Sequence, residues 1–177
     1  NMSFNIIKIS IVLSELYNQL GLHEIAKEHL DSIADDANKF NDQMILGRIQ
    51  AEYSKSYELA DQIDQSIEYM KKSISYYEHL NKNDLLVRSL ILLSVLFFKK
   101  NNINKANLQL QQADTILKTT YFSDYLSNLV QAYTFLYKDK KDVTIDLVNS
   151  LFEDAKSNDY SEVIKVLYQV YDNHRND

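Results

Sequence analysis

The sequence predicts an all-α fold, a solenoid of about four helical hairpins followed by one C-terminal helix. Three observations carry this expectation. Proline is absent and glycine is confined to Gly21 and Gly47 among 177 residues, so the chain lacks the material of most tight turns, while long helices are unobstructed. Hydrophobic residues make up 45% of the chain, with 13 Tyr and 7 Phe, enough to fill a core and to argue against disorder. The third observation is a period. Tyr17, Tyr57, Phe97 and Tyr137 stand 40 residues apart, and self-similarity at such an interval marks a repeat architecture.

The period holds around those aromatics. Three residues before each lies a small hydroxyl residue (Ser14, Ser54, Ser94, Thr134), preceded by Leu13, Tyr53, Leu93 and Tyr133. Nine residues after the aromatic come Ala26, Ser66 and Ala106, and four further on Leu30, Met70 and Leu110. The fourth copy loses the pattern beyond Tyr137, with Asp146 where a small residue is expected. First helices are placed near 4–20, 43–60, 84–100 and 124–138, and second helices near 23–38, 63–80, 103–118 and 143–156. A ninth helix near 160–173 follows from the helical spacing of Val163, Val166, Leu167, Val170 and Tyr171. Gly21, Asp61 and Asn101-Asn102 supply turns, with Asn83 and Ser123 as N-caps. No linker or composition shift divides the chain, so residues 1–177 read as one domain with repeats at about 4–40, 43–80, 84–120 and 124–158.

The motif large–small–x–x–aromatic followed by small–x–x–x–large resembles the tetratricopeptide repeat (TPR) family. Small residues let two antiparallel helices approach closely, and the aromatic fills the space between hairpins. The departures are Ser or Thr for the usual Gly, no Trp, no closing Pro, and a period of 40 instead of 34. The resemblance implies a right-handed α-solenoid whose first helices line a concave groove. It also implies an interaction module that binds a protein or peptide, of the kind found in the regulatory or sensory parts of bacterial signalling and transcription-regulating proteins. The Asn, Lys, Ile and Tyr bias fits an AT-rich bacterial genome.

Carrying over the family's inward-facing positions gives candidate binding residues. One column reads Lys8, Arg48, Arg88 and Asn128. Arginine suits bidentate recognition of a carboxylate, and an asparagine amide can clamp a peptide backbone. Neighbouring columns read Ile11, Ala51, Ile91 and Gln131, then Glu15, Lys55, Val95 and Phe135, then Asn18, Glu58, Phe98 and Lys138. The expected groove has a polar, partly basic flank and an apolar floor of Ile91, Val95, Phe98 and Phe135. Residues 90–98 are apolar on nearly every side, so that helix must be covered by the superhelix or by a partner. Self-association through Phe98 and Phe135, giving a homodimer without a peptide ligand, is the alternative. Arg48 pairing with Glu52 one turn on is the plain structural reading of that arginine.

Other classes lose support. A net charge of −6 without a basic block argues against nucleic acid. The run from Leu90 to Phe98 is far short of the roughly 20 residues that span a bilayer, so membrane insertion is not expected. Cysteine is absent, and His23-Glu24 lacks the second histidine of a zinc-protease helix. No Gly-rich phosphate loop or nucleophile elbow can be built from two distant glycines. No catalytic residue, metal or cofactor is expected. No signal-peptide pattern opens the chain, which favours the cytoplasm, while the lack of cysteine also suits the periplasm. Asn1 precedes Met2, as in a processed, tagged or excised chain, which leaves room for neighbouring DNA-binding or kinase domains.

Overall fold

The computed structural model describes residues 3–119, 124–138 and 142–175. Among them the chain forms α1 (Phe4–Gln19), α2 (His23–Phe40), α3 (Gln43–Leu59), α4 (Ile63–His79), α5 (Asn83–Lys99), α6 (Ile103–Thr119), α7 (Asp124–Tyr137), α8 (Ile145–Ser157) and α9 (Ser161–Arg175). Each lies within about two residues of its sequence-predicted span, the ordinary scatter of helix ends. Consecutive helices pack antiparallel as hairpins. First helices also touch across hairpins, α1 to α3, α5 to α7 and α7 to α9, whereas no comparably close pair joins successive second helices. The stack therefore curves with its first helices on the inner side.

Left-handed residues set the period. Gly21, Asn41, Asp61, Asn81 and Asn101 all have positive φ, between 51° and 76°, and they recur every 20 residues. Each ends a helix, because only Gly, and to a lesser degree Asn and Asp, adopts this conformation cheaply. In the hairpin turns the next amide reaches back to the signature aromatic: Leu22 N donates to Tyr17 O, Gln62 N to Tyr57 O and Asn102 N to Phe97 O, at 2.8, 2.9 and 2.9 Å. This is the 6→1 bond of a Schellman cap. Two helices of about 17 residues, each followed by a left-handed residue, account for the interval of 40.

The small positions do what the motif requires. Ser14, Ser54, Ser94, Ala26, Ser66 and Ala106 are essentially inaccessible, as are Leu30, Met70 and Leu110. Where α3 crosses α4, Ser54 Oγ donates to Ser66 O and Ser66 Oγ to Ser54 O, each at 2.8 Å. Each hydroxyl thus donates to the backbone carbonyl of the other serine where the helices cross, and a larger side chain there would hold them apart.

Three details differ from expectation. Asn83 is not an N-cap: Lys82 precedes α5, and Asn83 is its first helical residue. Ser123 lies outside the described residues. In the fourth hairpin the connection between α7 and α8 is longer, α8 starting at Ile145, so the buried small-to-medium positions shift by two. Val148 and Ala155 occupy the places of Ala106 and Ala113, and Asp146 is exposed.

Candidate binding face

The inner face is built from one stripe of each first helix. On α5 the stripe is Arg88, Leu92, Val95, Phe98 and Lys99. A helix brings residues three and four apart onto one side, and the buried side of α5 (Leu86, Val87, Leu90, Leu93, Leu96) is committed to its neighbours. The predicted floor is only partly open. Ile91 is 2% exposed and Phe135 9%, whereas Leu92, at 40%, and Phe98, at 37%, reach the surface, and Val95 is half-buried. The superhelix itself therefore covers much of α5, one of the two outcomes its composition allows. Phe98 lies against Tyr137 with ring centroids 4.2 Å apart and planes 16° from parallel.

The predicted polar column separates into four environments. Lys8 is exposed, its ammonium 4.4 Å from the centre of the Phe4 ring. Arg48 reaches Glu15 on α1 at 3.6 Å, a contact across hairpins and not the pairing with Glu52 one turn on. Arg88 is exposed, its guanidinium 5.6 Å from the Tyr125 ring centre. No carboxylate lies within 4 Å of Arg88 among the described residues. Asn128 is buried at the α7–α8 contact and donates to Asp154, so its amide is already used.

Further rungs tie the face together. Glu58, which the columns placed there, accepts from Lys55 and from Lys99 of the next hairpin, both at 2.8 Å. Burial works to raise its carboxyl, but these two hydrogen bonds and their charges outweigh it and hold the group below the usual range. Glu52 behaves oppositely. Burial raises its carboxyl, and the Asn18 amide donating to it at 3.1 Å only partly offsets this. Ser56 donates to Asn18 Oδ1 at 2.9 Å, which completes a polar seam between α1 and α3. Tyr125 donates to Glu162 of α9 at 2.5 Å, and burial with this bond pushes its hydroxyl up to about 12.

A second concavity of about 560 Å³ lies between α6 and α7. Gln131, Phe135 and Lys138 from the predicted columns line it opposite Asn107, Gln111 and Asp114. Thr134 also faces it and is half-open, unlike Ser14, Ser54 and Ser94 at the same repeat position. Leu92 and Tyr125 were absent from the sequence-derived set. Leu92 was accessible to reasoning, because it lies one turn beyond Arg88. Tyr125 was not, because its place depends on contacts from α5 and α9.

No group of three or more His, Asp or Glu side chains suited to a metal ion occurs among the described residues, and none of their helices is long and apolar enough to cross a membrane. No family model and no curated protein matches the sequence. The fold does resemble a solved structure, the crystal structure described as nearly identical TPR-like repeats of a kinesin light chain from Podosopora anserina. It superposes with a TM-score of 0.69 at 14% identity, over 99% of this chain and 91% of that one. At that identity the likeness is one of fold, and the fold of this chain is the TPR-like helical solenoid.

Proposed function

We propose that the chain is a protein-interaction module that holds an acidic or C-terminal peptide segment, or a partner helix, against its first-helix face. Solenoids of this kind commonly serve as non-catalytic scaffolds for protein partners, and nothing in the side-chain chemistry of the inner face calls for a reaction. The observation that carries the proposal is Arg88. Its guanidinium is exposed, steadied over Tyr125 and free of any carboxylate within 4 Å among the described residues. One turn along the helix lies the exposed Leu92, and Phe98 is exposed about 15 Å from Arg88 toward the C-terminal end of the helix. A guanidinium in that setting offers a paired hydrogen bond to a carboxylate, and the adjacent apolar surface offers an anchor for a side chain. Of the predicted column, Arg48 is engaged with Glu15 and Asn128 with Asp154, so Lys8 and Arg88 remain for a ligand.

Peptides selected from a random display library on the immobilised chain provide the test. The expected result is enrichment of Asp, Glu or a free C-terminal carboxylate beside an apolar residue. Arg88→Ala should weaken binding by about tenfold, the scale of one charge-assisted pair, and Arg48→Ala should weaken it less. Selected peptides that bind Arg88→Ala as tightly as the parent would refute the proposal. Residence in a bacterial signalling or transcription-regulating protein is part of the same proposal and rests on the long hairpins and the residue bias. The coding sequence on either side tests it directly. Self-association around Phe98 and Phe135 has less to work with, since Phe135, one of its two anchors, is covered.

A further inference from the structure

The outer face of α1 carries a strip that every later hairpin hides. Ile6, Ile9 and Leu16 are 46%, 59% and 48% exposed. Forty residues on, Leu46, Ile49 and Ser56 of α3 hold the same places, and eighty on, Leu86, Ser89 and Leu96 of α5; none of these six exceeds 7%. There the preceding hairpin provides the cover. On α1 nothing among the described residues does.

The strip is more than a repeat pattern left uncovered at one end. Around the first turn Leu20 is 72%, Leu22 45% and Ile25 39% exposed. The corresponding positions downstream are Ala60 and Lys100, Gln62 and Asn102, Gln65 and Lys105. Apolar residues thus replace mostly polar ones at this end alone, extending the patch where the repeat does not ask for them. Patches of this kind on soluble proteins mark interaction sites.

We propose that this face binds a second copy of the chain, α1 packing antiparallel on α1 about a two-fold axis near Leu13. The spacing is self-complementary. Ile6, Ile9, Leu13, Leu16 and Leu20 alternate three and four residues apart, the seam of a left-handed helix pair. Antiparallel pairing sets Ile6 against Leu20 of the second copy, Ile9 against Leu16, and Leu13 against itself. The flanking positions Asn5, Val12 and Gln19 are uncharged, so an amide meets an amide and Val12 meets its own equivalent. Lys8 and Glu15, the charged residues of α1, both lie off the seam. A chain of net charge −6 can therefore bring two copies together here without placing like charges face to face. A standard interface buries about 800 Å² per partner, and the exposed aliphatic side chains of this strip, each offering on the order of 100 Å², supply most of it.

Sedimentation equilibrium of the chain from about 1 to about 200 µM reads the oligomeric state. A dimer is expected, with Ile9→Asp shifting its dissociation midpoint upward by about 100-fold or more. Circular dichroism of the Ile9→Asp monomer should match the parent, and so should its thermal midpoint at dilutions where the parent is also dissociated, because Ile9 is mostly solvent-facing. The chain has no cysteine, so single cysteines report geometry cleanly. Val12→Cys should oxidise to a covalent dimer, and Ile6→Cys should cross-link to Leu20→Cys but not to itself. A monomer throughout the range, a dimer that survives Ile9→Asp, assemblies larger than two, or cross-linking of Ile6→Cys to itself would each overturn the proposal. None of these outcomes touches the Arg88 face, which peptide selection tests independently.

Discussion

Gly47 sits inside α3 at the contact with the last turn of α4, and replacing it with alanine sets two effects of known size against each other. A methyl group there would stand 2.7 Å from Tyr77 Cε1, 3.1 Å from Tyr77 Cζ and 3.2 Å from Tyr76 Cβ. In a helix interior alanine is favoured over glycine by about 1 kcal/mol. Overpacking a filled core costs about 1–3 kcal/mol. The neighbours decide which prevails. Tyr77 is 3% exposed and cannot swing into solvent, and a Cβ moves only with its backbone. Gly47→Ala is therefore expected to destabilise the chain by about 1 kcal/mol net, a fall of about 2–4 °C in thermal midpoint for a protein of this size. The repeat register shows how the first hairpin avoids the clash. Where the second has Gly47 and Tyr77, the first has Ile7 and Ala37, large and small exchanged. On a Tyr77→Ala background, itself costly, Gly47→Ala should therefore become stabilising by about 1 kcal/mol. Urea melts of the four variants give the coupling, expected near about 2 kcal/mol. Gly47→Ala that raises stability equally on both backgrounds would refute the reasoning.

Ala106→Leu should cost about 1–3 kcal/mol in the same assay, because Ala106 is fully buried where α6 crosses α5. Asn101 has φ of 56°, so Asn101→Ala should destabilise by about 1 kcal/mol while Asn101→Gly should match or exceed the parent. Glu52→Gln should be more stable than the parent at pH 7, because burial raises the folded carboxyl above its ordinary 4.5 and makes the ionised form costly. That gain should disappear as the pH falls below 4.5, where both folded and unfolded parent become protonated. Glu58→Gln should behave in the opposite sense. Its carboxyl is lowered, so the parent is the more stable at neutral pH and loses that advantage as acid protonates Glu58 in the folded state.

Where the sequence was legible, the reason is translation along one axis. A solenoid repeats the same contacts between neighbours, so Ser54 against Ser66 predicts the closeness of Ser94 to Ala106 without knowledge of the whole. The same logic fails for side chains whose surroundings are not translated. Ile91 and Val95 belong to adjacent columns of one predicted floor, yet the first is sealed and the second half-buried, because cover at each depends on side chains of neighbouring helices that the column does not specify. Asn128 continues the column of Arg48 and Arg88 by position, but the altered α7–α8 connection brings Asp154 to it and removes it from the surface. Among the described residues, Arg88 is left without a carboxylate for a related reason. Its counterpart Arg48 meets Glu15 one hairpin back, whereas the equivalent of Glu15 on α3 is Lys55, which repels a guanidinium and binds Glu58 instead. A single exchange of acid for base within one column thus turns the same arginine from a tie between hairpins into an exposed guanidinium held at Tyr125, with no carboxylate within 4 Å among the described residues.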